Sequence, residues 1–128
     1  MHSSTLFNIA LGILVIWFAY TRFRPTKGLR TLRDEDFQNE MKNSPDRLLI
    51  DVREPFEFKG GSIPGARNIP LSQLRGRLGD IPKDSHVFLY CRSGMRSKNA
   101  ARILSKNGYT RLADLQGGIG AWSGKITK

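Results

Sequence analysis

The chain has one cysteine, Cys91, set in the run Cys91-Arg92-Ser93-Gly94-Met95-Arg96-Ser97. Residues 87–90 before it, VFLY, read as a buried strand, and residues 96–107 after it carry Ala100, Ala101, Ile103 and Leu104 on one helical face, with Gly108 placed as the stop. The cysteine therefore falls at the carboxyl end of a strand and faces the amino end of a helix, where open α/β sheets place their ligands. Backbone N–H groups of such a loop turn inward as an anion nest, and the helix adds about half a positive charge at its start. Arg92 and Arg96 bring two fixed cations to the same point, and Gly94 lets the backbone curl without a Cβ penalty. Such surroundings favour thiolate over thiol. The expected chemistry is attack by sulfur on an anionic reagent.

The elements needed to hold this loop are legible as an alternation. Short apolar runs at 29–32, 48–52, 66–69, 87–90 and 111–114 read as strands, and 34–42, 71–78 and 96–107 as helices. Strand and helix in turn predict an α/β fold with a mainly parallel five-stranded sheet and helices on both faces. One cysteine with only His2 and His86 elsewhere excludes an internal disulfide and is too small a ligand set for zinc, so neither a metal nor a cofactor is expected. His86 is expected at the surface, Asp51 in an ion pair at its strand end, and Gly117, Gly118 and Trp122 in a turn with a packing anchor.

Three segments resemble, in order and spacing, the rhodanese family of sulfurtransferases. They are Cys91–Ser97; Asp51-Val52-Arg53-Glu54-Pro55-Phe56-Glu57-Phe58 with Ile63-Pro64-Gly65-Ala66-Arg67-Asn68-Ile69-Pro70; and Leu115-Gln116-Gly117-Gly118-Ile119-Gly120-Ala121-Trp122. One departure is that Gly61-Ser62 stands where the family often has Gly-His. The resemblance implies a single rhodanese domain over 29–128, with Cys91 taking the outer sulfur of a thiosulfate-like donor as a persulfide and passing it to a thiol or protein acceptor. It further implies that Arg92, Ser93, Gly94, Met95, Arg96 and Ser97 bind the anion. Asp51 can pair at its strand end with Arg53, Arg67 or another cation, and these three residues are supporting candidates near the loop. Phosphatases that share this fold use a Cys-x5-Arg loop, whereas Cys91 to Arg96 is Cys-x4-Arg, a tighter loop that favours sulfur over phosphate. The alternative from another class is a tethered binding or regulatory module that keeps the fold without turnover.

Ahead of that domain, residues 6–20 contain Asn8 as the only strongly polar side chain. A helix over 3–23 would be about 31 Å long, enough for the hydrocarbon core of a bilayer. Trp17 and Tyr20 suit the interface, and Arg22 and Arg24 can extend to the headgroups. No Lys or Arg precedes the apolar run and no small-x-small site closes it, so an uncleaved anchor is expected rather than a signal peptide. Five cations follow by Arg33, including those of a basic linker over 24–28, which predicts a single-pass cell-membrane protein with its domain in the cytoplasm, where the thiol stays reduced.

The 128 residues carry a net charge of +10, but all eleven acids lie at or after Asp34, leaving +5 on residues 34–128. Half of the excess is thus beside the apolar segment. The remainder lacks interleaved aromatic residues or a nucleic-acid module, so membrane lipid and small anionic donors are the expected partners and nucleic acid is not.

Overall fold

A computed structural model describes residues 3–23 and 25–128. Arg24, named above as a headgroup cation and as the first linker residue, and His2 lie outside the described residues.

Five strands, β1 (Leu29–Leu32), β2 (Arg47–Asp51), β3 (Arg67–Asn68), β4 (His86–Tyr90) and β5 (Leu112–Leu115), form one sheet in the order β1-β5-β4-β2-β3. Every pairing is parallel. Parallel strands need crossovers on the sheet faces, and the chain supplies them. Helix α4 (Met95–Lys106) and the 3₁₀ segment Leu71–Asp80 cover one face, where Leu74, Ile81, Ala100, Ala101 and Leu104 pack with Val87, Leu89 and Leu112. Helix α2 (Asp34–Lys42) covers the other, where Phe37 meets Phe88 edge-on at 5.3 Å and Trp122 at 6.4 Å. Alternation along β4 sends Val87, Leu89 and Cys91 to the α4 face and Phe88 and Tyr90 to the α2 face. Helix α1 (Ser3–Phe23) precedes the sheet, and its large apolar side chains from Leu6 to Tyr20 are exposed.

Some elements differ from the sequence expectation. The strand expected over 66–69 pairs through only Arg67 and Asn68, against Ile50 and Asp51. The helix expected over 71–78 is a 3₁₀ segment that leaves helical geometry at Arg77, between Gly76 and Gly79. A short helix, α3 (Pro55–Lys59), was not expected; Pro55 opens it, and a capping box between Glu54 and Glu57 holds its first turn. His86, expected at the surface, is half-buried, with Nδ1 3.0 Å from the Ser44 hydroxyl and its ring 4.3 Å from Phe88; burial first, then Arg111, holds its pKa below the ordinary value.

Candidate active site

Cys91 follows the last residue of the central strand β4, and its side chain is buried. The loop then turns at Gly94, whose φ of 110° is in the left-handed region and which precedes the first turn of α4. That turn directs the Gly94 N–H onto Cys91 Sγ at 3.0 Å. No side chain caps α4. The amides of Met95, Arg96 and Ser97, which have no acceptor within the helix, thus stay available to an anion beside the sulfur. From the other side, Ser97 Oγ lies 3.5 Å from Sγ, so the sulfur sits between a backbone amide and a hydroxyl.

The loop is fixed by its neighbours as well as by its own turn. Gly118, at φ 67°, brings its α-carbon against the backbone of Cys91 and Arg92, where a Cβ would stand 2.4 Å from the Arg92 carbonyl oxygen. The Ile119 N–H donates to the Cys91 carbonyl at 2.8 Å. The glycine pair expected as a turn is therefore also a clamp on the Cys91 backbone. Beneath the loop, the Ser97 hydroxyl has two acceptors within reach of its single proton, the Gly94 carbonyl at 3.1 Å and Asp114 Oδ1. Asp114, on β5, is fully buried, and its Oδ2 has no hydrogen-bond partner among the described residues. Burial raises this carboxyl to about 6, against the opposing effects of Ser97 and Lys98.

The two loop arginines differ. Arg96 makes a bidentate pair with Glu57 of α3, Nη1 to Oε1 at 2.6 Å and Nη2 to Oε2 at 3.0 Å. That contact lowers Glu57 to about 2. Arg96 therefore ties α3 to α4 and holds a cation near the sulfur, whereas Arg92 is exposed with no ion pair among the described residues. Ser93 and Met95 point outward from the same loop, Met95 with 76% of its surface exposed.

The supporting candidates are placed elsewhere. Asp51 faces the α2 side of the sheet beside Tyr90, and forms a buried pair with Arg53 at 2.7 Å. Arg53 also donates to the Gly61 carbonyl at 2.6 Å and lies over the Tyr90 ring. These contacts fasten the exit of β2, on the face opposite Cys91. Arg67 is exposed on the edge strand and lines a groove of about 550 Å³ with Met41, Leu49 and Trp122, to which no residue of the Cys91 loop contributes. Ser62, standing where the family often has histidine, is buried and exchanges two backbone hydrogen bonds with Thr127.

Sequence reasoning passed over Glu57 as a partner of the loop and Asp114 as its buried neighbour. Asp114 did leave a signal, being a lone acid within the otherwise apolar LADL strand.

Sheet order, loop and glycine clamp together define a rhodanese-type domain, and comparison with known proteins gives the same class. The rhodanese-like domain family model matches residues 34–125, and the chain belongs to that family. It is 42% identical over 124 residues to the uncharacterised protein YqhL of Bacillus subtilis (strain 168), covering 97% of this chain and 96% of that one. It is also 42% identical over 89 residues to a sulfurtransferase of Allochromatium vinosum, covering 70% and 83% respectively. Among solved structures, a rhodanese-related protein from Thermoplasma volcanium superposes with a TM-score of 0.69 at 33% identity, over 77% of this chain and 97% of that one. The family is that of rhodanese-like sulfurtransferases.

Proposed function

We propose that this protein is a membrane-tethered sulfurtransferase whose Cys91 takes sulfane sulfur from a small anionic donor of the thiosulfate type and delivers it to a thiol or protein acceptor. The observation that carries the reading is the sulfur itself, held by the Gly94 N–H at 3.0 Å at the uncapped start of α4. In the first step the Cys91 thiolate attacks the outer sulfur of the donor. A new S–S bond forms, the donor's S–S bond breaks, and sulfite leaves with the electron pair. The persulfide anion then faces the loop amides and the Arg96 charge. Because Cys91 is buried, the donor has to be slender; the transferred sulfur then lies about 2 Å further out along the new bond. Exposed Arg92 is placed to attract the donor, and Ser93, Gly94, Met95 and Ser97 complete the cradle.

Incubation of the purified chain with thiosulfate, followed by intact-mass measurement, tests this directly. Wild type should gain one sulfur atom that cyanide or a small thiol removes, and Cys91→Ser should gain none. Absence of the gain in both proteins would leave a tethered binding module without turnover.

The tether rests on α1, which is long and apolar enough to cross a bilayer and has none of its candidate span buried. An exposed apolar helix of this length needs lipid around it. The cations that follow it orient the rhodanese domain to the cytoplasm by the positive-inside rule. External protease applied to spheroplasts should spare the domain, and digestion there would reverse the orientation.

A further inference from the structure

Asp114 is the one buried acid beneath the Cys91 loop that the transfer chemistry above does not use. From Cys91 Sγ the path runs 3.5 Å to Ser97 Oγ and onward through a hydrogen bond to Asp114 Oδ1, the nearer of the two acceptors of the serine proton, the Gly94 carbonyl at 3.1 Å being the other. The serine hydroxyl has one proton and two lone pairs, so it can accept from one neighbour while donating to another. The carboxyl's second oxygen is buried without a partner among the described residues, a costly place for a negative charge and a tolerable one for a neutral acid.

The surroundings contain little else that ionises. Helix α4 contributes Ser97 and the cation Lys98, while β4 places Leu89 alongside and the Cys91 thiol beyond it. Strand β1 places Thr31 in register with Asp114, and Gly118–Ala121 has no ionisable side chain. Helix α2 packs on the opposite face, where Phe37 clusters with Ala113 and Leu115. Arg96, paired first with Glu57 of α3, has its further charge interaction with Cys91 rather than with the carboxyl.

Resting on the sulfurtransferase reading, we infer that Asp114 is a positioning residue that receives the Cys91 proton through Ser97, so that thiol and carboxyl share one proton and the negative charge resides on sulfur. In the transfer the S–H bond breaks as Ser97 Oγ takes that proton. The hydroxyl's original proton passes to Asp114 Oδ1, leaving a thiolate, a neutral serine and a carboxylic acid. The charge moves from a site with an unpartnered oxygen to one faced by the Gly94 N–H, the α4 terminus and Arg96. No proton has to be released to solvent for the nucleophile to form.

Two measurements on the full chain test this without relying on turnover. Infrared spectroscopy at neutral pH should show a protonated carboxylic acid band in wild type. The band should disappear when Cys91 is alkylated, since the neutral thioether no longer holds the charge that keeps Asp114 protonated, and it should be missing from both Cys91→Ser and Asp114→Asn. The rate of Cys91 alkylation by iodoacetamide against pH should rise in two steps in wild type, the behaviour of a coupled pair, and in one step in Asp114→Asn. Ser97→Ala, which keeps the carboxyl and breaks the path, should lower the rate at pH 6 on the order of tenfold. Absence of the band in wild type, or coincident wild-type and Asp114→Asn profiles, overturns the inference; if Asp114→Asn does not fold, the comparison of wild type with Cys91→Ser decides it. A chain that gains sulfur from thiosulfate but lacks the band refutes the shared proton alone, whereas a band without sulfur gain refutes the sulfurtransferase reading alone.

Discussion

At the scale of single residues, the site separates charges that face solvent from one that does not. Glu57 is held near 2 by Arg96, so the unfolded chain binds more protons in the acid range and stability falls as pH drops from about 4.5 to about 2. Glu57→Gln should lose that acid limb, with a difference at neutral pH of at most about 1 kcal/mol because the pair is partly solvated; urea unfolding at a series of pH values measures it. Asp114 has the opposite sign. Where Cys91 is replaced by serine and no thiolate faces the carboxyl, its folded-state affinity for a proton is raised by burial, so its contribution is full below about 3.8 and is lost as pH rises through about 6. The stability difference between the Cys91→Ser, Asp114→Asn double variant and Cys91→Ser should therefore move in favour of the double variant from pH 4 to pH 7, by on the order of 2 kcal/mol. A difference independent of pH would mean that the carboxyl is not perturbed. Cys91 and its cradle were legible because residue type and spacing coincide within seven positions. The Glu57–Arg96 contact was not, since its partners are 39 positions apart and only the folded chain brings the two side chains within reach.

At the scale of elements, the glycine clamp is the most sensitive part. Gly118→Ala places a methyl against the Arg92 carbonyl and forces an L-residue to a positive φ. A loss of at least about 1–3 kcal/mol is expected in thermal or denaturant unfolding, together with slower sulfur loading of Cys91, the proposed nucleophile, because the strain is applied to its own backbone. Unchanged loading in a folded Gly118→Ala protein would show that the loop holds itself. The five strands and α2 could be read from apolar runs and an acidic first turn, since these patterns are set by burial on a sheet. Helix α3 could not be: five residues are too few to display a period, and its stability comes from Pro55 and the Glu54–Glu57 box rather than from an apolar stripe, its apolar residues being at most half-buried. In the 3₁₀ segment, apolar spacing suggested an α-helix, but Gly76 and Gly79 weaken the helical ladder enough for tertiary contacts of Leu74 to decide the geometry.

At the scale of the whole molecule, α1 is long and apolar enough to cross a bilayer and precedes the rhodanese domain. If α1 spans the bilayer, the full chain should remain with membranes after a high-salt wash, which strips proteins held by charge alone. Ile13→Arg, near the middle of the helix, should release a measurable fraction to the soluble phase, since a central arginine costs about 2.5–3.5 kcal/mol on insertion. Retention of the charge-only kind, abolished by salt in wild type, would assign membrane contact to the basic linker instead. The apolar stretch stood out in sequence because its length and lack of charge match what a bilayer would require of a crossing helix. The 124-residue likeness to YqhL takes in this region as well as the domain.

The close approach of Gly118 to the Cys91–Arg92 backbone also limits how this scaffold can be re-engineered. Inserting a residue between Cys91 and Arg96 to admit a bulkier tetrahedral ester would push the main chain outward on a side already filled by another main chain. Library designs that vary the loop by itself should return misfolded or unaltered catalysts, while designs that rebuild the Gly117-Gly118 corner together with it have room to change the reaction.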